Sequence, residues 1–218
     1  GDGHGRLRRR HRSLSHDGRR TAPTVMEAGV DQAAALKQKV RDYMRTRGTL
    51  ATVGAVREQI AAALGTLEAV LDGVTAEQAA RGSIPGEWTV QEIVDHLVET
   101  FRPGVDELRC LLADQPPSGE PIPASLQSKA PRLRPWPWLL EELRRLNADT
   151  LGLLAEIAPG FETGARAPIV MVINVPLADG GMQPVHWIEE LDWKAYSIVS
   201  WRLHTLDHIA QVRKVLRA

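Results

Sequence analysis

Cysteine is almost absent from this chain: Cys110 is the single one in 218 residues. One thiol closes no intrachain disulfide, which fits a reducing cytoplasm. No histidine stands near it in sequence, so it reads as core filler on a helix rather than a nucleophile. Long apolar runs are missing too. The longest, APIVMVINVPLA from Ala167 to Ala178, is broken by Pro and Asn and falls well short of the ~20 residues that span a bilayer. The N-terminal residues contain no apolar stretch of the secretory-signal kind. These absences predict a soluble cytoplasmic protein with no membrane partner. Net charge is also absent, since 27 Lys and Arg balance 27 Asp and Glu. The balance is uneven. Residues 1–25 hold seven Arg against two Asp, a surplus of five, and residues 26–218 carry the matching deficit. A mildly acidic folded part offers no basic footprint for nucleic acid. Neither a Gly-rich phosphate loop nor a Ser or Cys nucleophile beside a base is present.

What is there is helical periodicity. Residues 1–25, Arg-rich and nearly free of large apolar side chains, cannot build a core and are expected to be a disordered tail. Its His4, His11 and His16 are discounted as ligands. An extra amphipathic helix is expected over 26–49, ending near Gly48. Val53, Val56, Ile60, Leu64, Leu67 and Leu71 then recur at three and four residues, a strong amphipathic helix from about Leu50 to Leu71. Asp72-Gly73 ends it, and Thr75 with Gln78 caps one short further turn.

The best-marked helix start is Thr89-x-x-Glu92, a capping box, with Trp88 and Ile93 placed as a hydrophobic staple. The helix it opens carries Val90, Ile93, Val94, Leu97 and Phe101 on one face, with His96 on its flank. Pro103-Gly104 is expected to kink it before it stops near Asp114. A Pro-rich loop follows over 115–135, long enough at ~70 Å fully stretched to let the next helix lie parallel to the last. That next helix is predicted from Trp136 to about Ala158, and the last from Trp187 to Ala218. Between them, Ile169–Val175 is β-branched and Asp179-Gly180-Gly181 is turn chemistry, compatible with a short strand or hairpin over one bundle end. The fold class is all-α: a four-helix bundle over residues 50–218 with long crossover loops, plus the extra N-terminal helix.

His204 and His208 stand four apart in WRLHTLDHIAQ, one turn of a helix. Two imidazoles so placed can bind one divalent metal, and His96 from the second bundle helix is the candidate third ligand. Three protein ligands with an open position is a catalytic arrangement. By spacing alone the pair also fits polar surface, and a lone His beside an apolar face also fits a hydrogen-bonded core residue. Two rivals fail. The metalloprotease pattern needs Glu after the first His, where Thr205 stands. Di-iron bundles need Glu-x-x-His twice, and that spacing does not occur.

GEWTVQEIVDHLVE (Gly86–Glu99) followed by LHTLDHIAQVRKV (Leu203–Val215) resembles the DinB-like family. Trp88, Thr89 and His96-Leu97 match its first signature, and His204, Asp207, His208 and Gln211 its second. The resemblance covers roughly Leu50 to Ala218. It implies an up-down-down-up bundle and a divalent metal, nickel or zinc, on His96, His204 and His208. Characterised relatives are similar to thiol S-transferases and isomerases that use mycothiol, bacillithiol or glutathione. The expectation is therefore a metal-dependent transferase that activates a low-molecular-weight thiol toward a small-molecule substrate, with a homodimer compatible. The alternative is a non-catalytic, metal-stabilised binding or stress-response module. Gln211 is placed to support a ligand, and Trp201 and Trp187 are candidates to line the pocket or fill the core. Asp95 and Asp207 adjoin ligands but project about 100° away, so direct ligation by them is not expected.

Overall fold

The structure, a computed structural model, describes residues 25–177 and 180–218. The first 24 residues, including most of the expected tail and its three histidines, lie outside the described residues. Helix α1 covers Val25–Met44 and runs into a π-helical turn, Arg45–Thr49. Helix α2 covers Val53–Leu71, capped by Thr52, whose hydroxyl accepts the Ala55 amide. Gly73, at φ 76°, turns the chain, a conformation that a side chain would strain. Helix α3, Ala76–Ala80, has the expected Thr75/Gln78 capping box.

Helix α4, Val90–Leu112, starts as the sequence predicts. Thr89 Oγ1 accepts the Glu92 amide at 3.2 Å, and Glu92 Oε2 accepts the Thr89 amide at 2.8 Å. The helix runs unbroken through Pro103. Gly104 lies where a Cβ would stand 3.5 Å from the Trp201 ring, so α4 and the last helix approach closely there. Helix α5, Trp136–Ala155, follows the Pro-rich segment. Both α2 and α4 pack against α5 and against the last helix. Their apolar stripes, including Ile60, Leu64, Leu97, Leu108, Leu139 and Val212, close one core.

Two expectations need correction: the chain is not purely α, and the last helix does not start at Trp187. Strands β1 (Ala167–Pro176) and β2 (Met182–Leu191) form an antiparallel ribbon, with Met171 opposite Trp187 and Val172 opposite His186. The physical reason is a period of two. On β1, Ala167, Met171 and Val175 are buried while Val172 and Asn174 are exposed. Such a strand leaves backbone donors and acceptors that need a partner, and Met182–Leu191 supplies it. Helix α6, Trp193–Ser197, begins only after Asp192, whose Oδ1 accepts the amides of Lys194 and Ala195 at 3.0 Å each. A second π-helical turn, Ile198–Leu203, joins α6 to α7, His204–Arg217. Among the described residues no helix is long and apolar enough to cross a membrane.

The extra N-terminal helix is fastened to the ribbon and to the start of the last helix. Lys37 sits over the Trp187 ring at 5.2 Å, and Arg41 pairs with Glu189. Thr49 Oγ1 donates to Asp192 Oδ2 at 2.5 Å. Gly48 is the closest approach: a Cβ there would stand 2.6 Å from Ala195 Cα. Backbone cannot yield as a side-chain tip can, so Gly48→Ala is expected to cost about 1–3 kcal/mol by overpacking. Urea unfolding checks this, as a lower midpoint with unchanged slope.

Candidate metal centre

The three candidate histidines meet. His96 stands on α4, and His204 and His208 open α7. Their ligand-capable nitrogens all lie within 4.8 Å of one another, with ring centroids 4.7–4.9 Å apart. His96 and His208 are buried, whereas His204 is half-buried. The capping box at Thr89 sets where α4 begins and so which side of it His96 occupies.

Two of the rings are held by their outer nitrogens. His96 Nδ1 donates to the carbonyl of Leu126 at 2.6 Å, and His208 Nδ1 donates to Gln211 Oε1 at 2.9 Å. The Nε2 of His204 lies 2.8 Å from that of His96. The backbone of Ser200, one turn back, favours the protonated form of the His204 ring. A neutral imidazole has one proton. With the His96 proton on Nδ1, its Nε2 faces His204 as a lone pair, and a neutral His204 carrying its proton on Nε2 donates to it.

That contact holds either the single proton of a neutral His204 ring or a bound cation. A further proton, which would charge the cluster, is disfavoured. Burial, then the charge His208 would carry, pushes His96 down to about 4. Burial, then His208 and His96, holds His204 well below the usual imidazole range. Burial also lowers His208, against the pull of Gln211. Three neutral imidazoles with converging nitrogens, two of them with Nδ1–H fixed by an acceptor, fit a divalent transition metal.

The other sequence candidates fall around this cluster at different distances. Gln211 supports His208 directly. Trp201 is fully buried behind Phe101, whose ring meets it at 6.2 Å and meets His204 at 6.1 Å on the other side. Trp187 lies on β2 beneath Lys37. Asp207 is exposed, and neither it nor Asp95 joins the cluster.

Two participants were not legible as such. Trp88 lies against both buried histidines, 5.1 Å from His96 and stacked 6.4 Å from His208. Its place beside the Thr89 cap was the available signal, because the cap that fixes the helix entry also aims the residue before it. Leu126 acts through its carbonyl, which no residue type advertises. It also lines a cavity of about 370 Å³ with Pro103, Glu107, Cys110 and Ile122. Glu107, one of the lining residues, accepts the hydroxyl of buried Tyr196 at 2.5 Å, and burial raises the Glu107 carboxyl.

The comparisons with known proteins point one way. The DinB superfamily profile matches residues 59–187, a span that takes in His96 and stops short of His204. Among solved structures the chain is similar to YfiT from Bacillus subtilis, described as a probable metal-dependent hydrolase with an unusual four-helix bundle topology. The TM-score is 0.52 and the identity 19%, covering 76% of this chain and 86% of that chain. No curated protein gives a significant sequence match. A profile match over more than half of the sequence, on a chain that folds as a helical bundle, settles the family: the chain belongs to the DinB superfamily.

Proposed function

We propose that the protein is a divalent-metal-dependent enzyme that conjugates a low-molecular-weight thiol to a small electrophile, with His96, His204 and His208 holding the metal. The observation that carries the metal is the convergence of three neutral imidazoles whose ligand-capable nitrogens all lie within 4.8 Å of one another. An all-imidazole set suits zinc or nickel. A bound ion of this kind supplies Lewis acidity, which favours a thiolate over a thiol near neutral pH.

The chain's own residues do the rest. Leu126 and Gln211 orient the His96 and His208 rings, and burial keeps all three rings neutral. Trp88 covers His96 and His208 and keeps water from that side. By surface exposure His204 is the least buried of the three. The cavity that shares Leu126 has none of the three histidines in its lining and meets the cluster through Leu126, whose carbonyl holds His96.

A second reading, metal-dependent hydrolysis, is favoured by the description of the fold neighbour YfiT. Activity assays of the zinc- and nickel-loaded protein separate the two. Thiol transfer predicts conjugation of glutathione, bacillithiol or mycothiol to a panel of electrophiles, lost in His96→Ala. Ester or amide cleavage without thiol supports the hydrolase instead. A loaded protein inactive in both assays is a metal-stabilised binding module.

A further inference from the structure

We infer that Asp95 is a positioning residue for His96, acting through Ser128 and the carbonyl of Leu126; the inference rests on the metal site proposed above. Asp95 precedes His96 on α4 and so points about 100° away from it. It cannot reach the cluster, yet it is fully buried. A buried carboxylate is costly unless its oxygens are satisfied. Every partner of Asp95 comes from the Pro-rich segment: Oδ2 accepts the Ser128 amide at 2.8 Å, Oδ1 accepts the Ser128 hydroxyl at 2.7 Å, and Arg134 lies 3.3 Å away.

Ser128 is two residues past Leu126, and the three consecutive residues are all tied to the first turns of α4. Leu126 offers its carbonyl to His96, Gln127 Nε2 donates to the Glu92 carbonyl at 3.1 Å, and Ser128 binds Asp95. Residues 115–130 form no helix or strand. With no ladder to place it, the Leu126 carbonyl is set by these ties together with the turn in which its own amide donates to the Pro123 carbonyl at 3.1 Å. Asp95 thereby keeps an acceptor 2.6 Å from His96 Nδ1, which holds the ring proton there and leaves Nε2 free as a ligand. When that acceptor drifts, the proton is free to move to Nε2 and block ligation.

A purely structural role for Asp95 predicts something different, and ¹⁵N NMR of the histidine rings tells them apart in the metal-free full chain. The expected result is an Nδ1–H tautomer for His96 in the wild type. The Nε2–H form should appear in Ser128→Ala and Asp95→Asn, with zinc affinity weakened 10–100-fold. Ser128→Thr, which keeps the hydroxyl, should behave as wild type. So should Arg132→Ala, which breaks only the surface pair of the same segment with Glu92. The inference is overturned if His96 keeps its Nδ1 proton in both variants. It is equally overturned if the tautomer changes without loss of zinc affinity, or if Arg132→Ala shifts the tautomer as much. If Asp95→Asn does not fold, Ser128→Ala decides alone. A wild type that binds no zinc defeats the proposed function, and the tautomer then decides this inference by itself.

Discussion

The protein as purified carries a stoichiometric divalent ion, and His208→Ala carries none: that is the first expected result. Three neutral imidazoles hold such an ion from two helices, so loss of one leaves a two-ligand site with a cavity beside it. An ion that binds the folded chain and not the unfolded one stabilises the fold by mass action. With free metal at about a thousand times its dissociation constant, the folded state gains about 4 kcal/mol. For a chain of this size that corresponds to roughly 10 °C in melting temperature. Elemental analysis together with thermal unfolding before and after EDTA checks both parts. A wild type that holds no metal and melts alike with and without chelator removes the centre altogether.

Acid is expected to destabilise the metal-stripped protein between pH 6.5 and about 4. The sign follows from proton uptake. The unfolded chain protonates its histidines near 6.5, whereas His96 in the folded chain resists down to about 4, and burial holds His204 well below its ordinary value too. Between those values the unfolded state binds more protons, so stability falls as pH falls. His96 alone contributes a loss of about 3 kcal/mol by the bottom of the window, and the two neighbouring rings add to it. Glu107 works against this, because its raised carboxyl gains its proton more readily in the folded state. It is one group against three. Glu142, held near 2 first by Arg145, loses its contribution only below the ordinary carboxylate value of 4.5, outside the upper part of the window. Urea midpoints of the stripped protein at pH 7, 6, 5 and 4 measure the slope. His96→Gln, which removes the titrating group, should flatten it; an unchanged slope in that variant assigns the acid sensitivity elsewhere.

Much of this molecule could be read from the sequence, for reasons that differ by residue. Thr89 and Glu92 were legible because a capping box is local: four consecutive residues contain the whole interaction. From it followed the face of α4 and the presence of His96 on it. His204 and His208 were legible because one helical turn separates them. The ribbon was less so. Ile169–Val175 suggested a strand, but Met182–Leu191 contains Gln183, Glu189 and Glu190 and merges into a helical apolar pattern. Only pairing with β1 decides its conformation. Trp88 was assigned to its cap, and its approach to His208 depends on α7, more than a hundred residues away. The carbonyl of Leu126 and the role of Asp95 depend on a loop whose path no periodicity encodes.

The π-helical turn Ile198–Leu203 gives the last helix an unusual freedom. An ordinary helix is a single clockwork: each residue advances about 100°, so the cap at Asp192 would dictate where His204 points. A wider turn takes in an additional residue before the chain resumes its regular winding, and the two ends become separately timed. The front end answers to the ribbon, to Gly48 and to Thr49; the rear end answers to His96 across the bundle. One inserted or deleted residue between Ile198 and Leu203 would leave the composition of the helix nearly intact and yet turn both ligands away from α4 together.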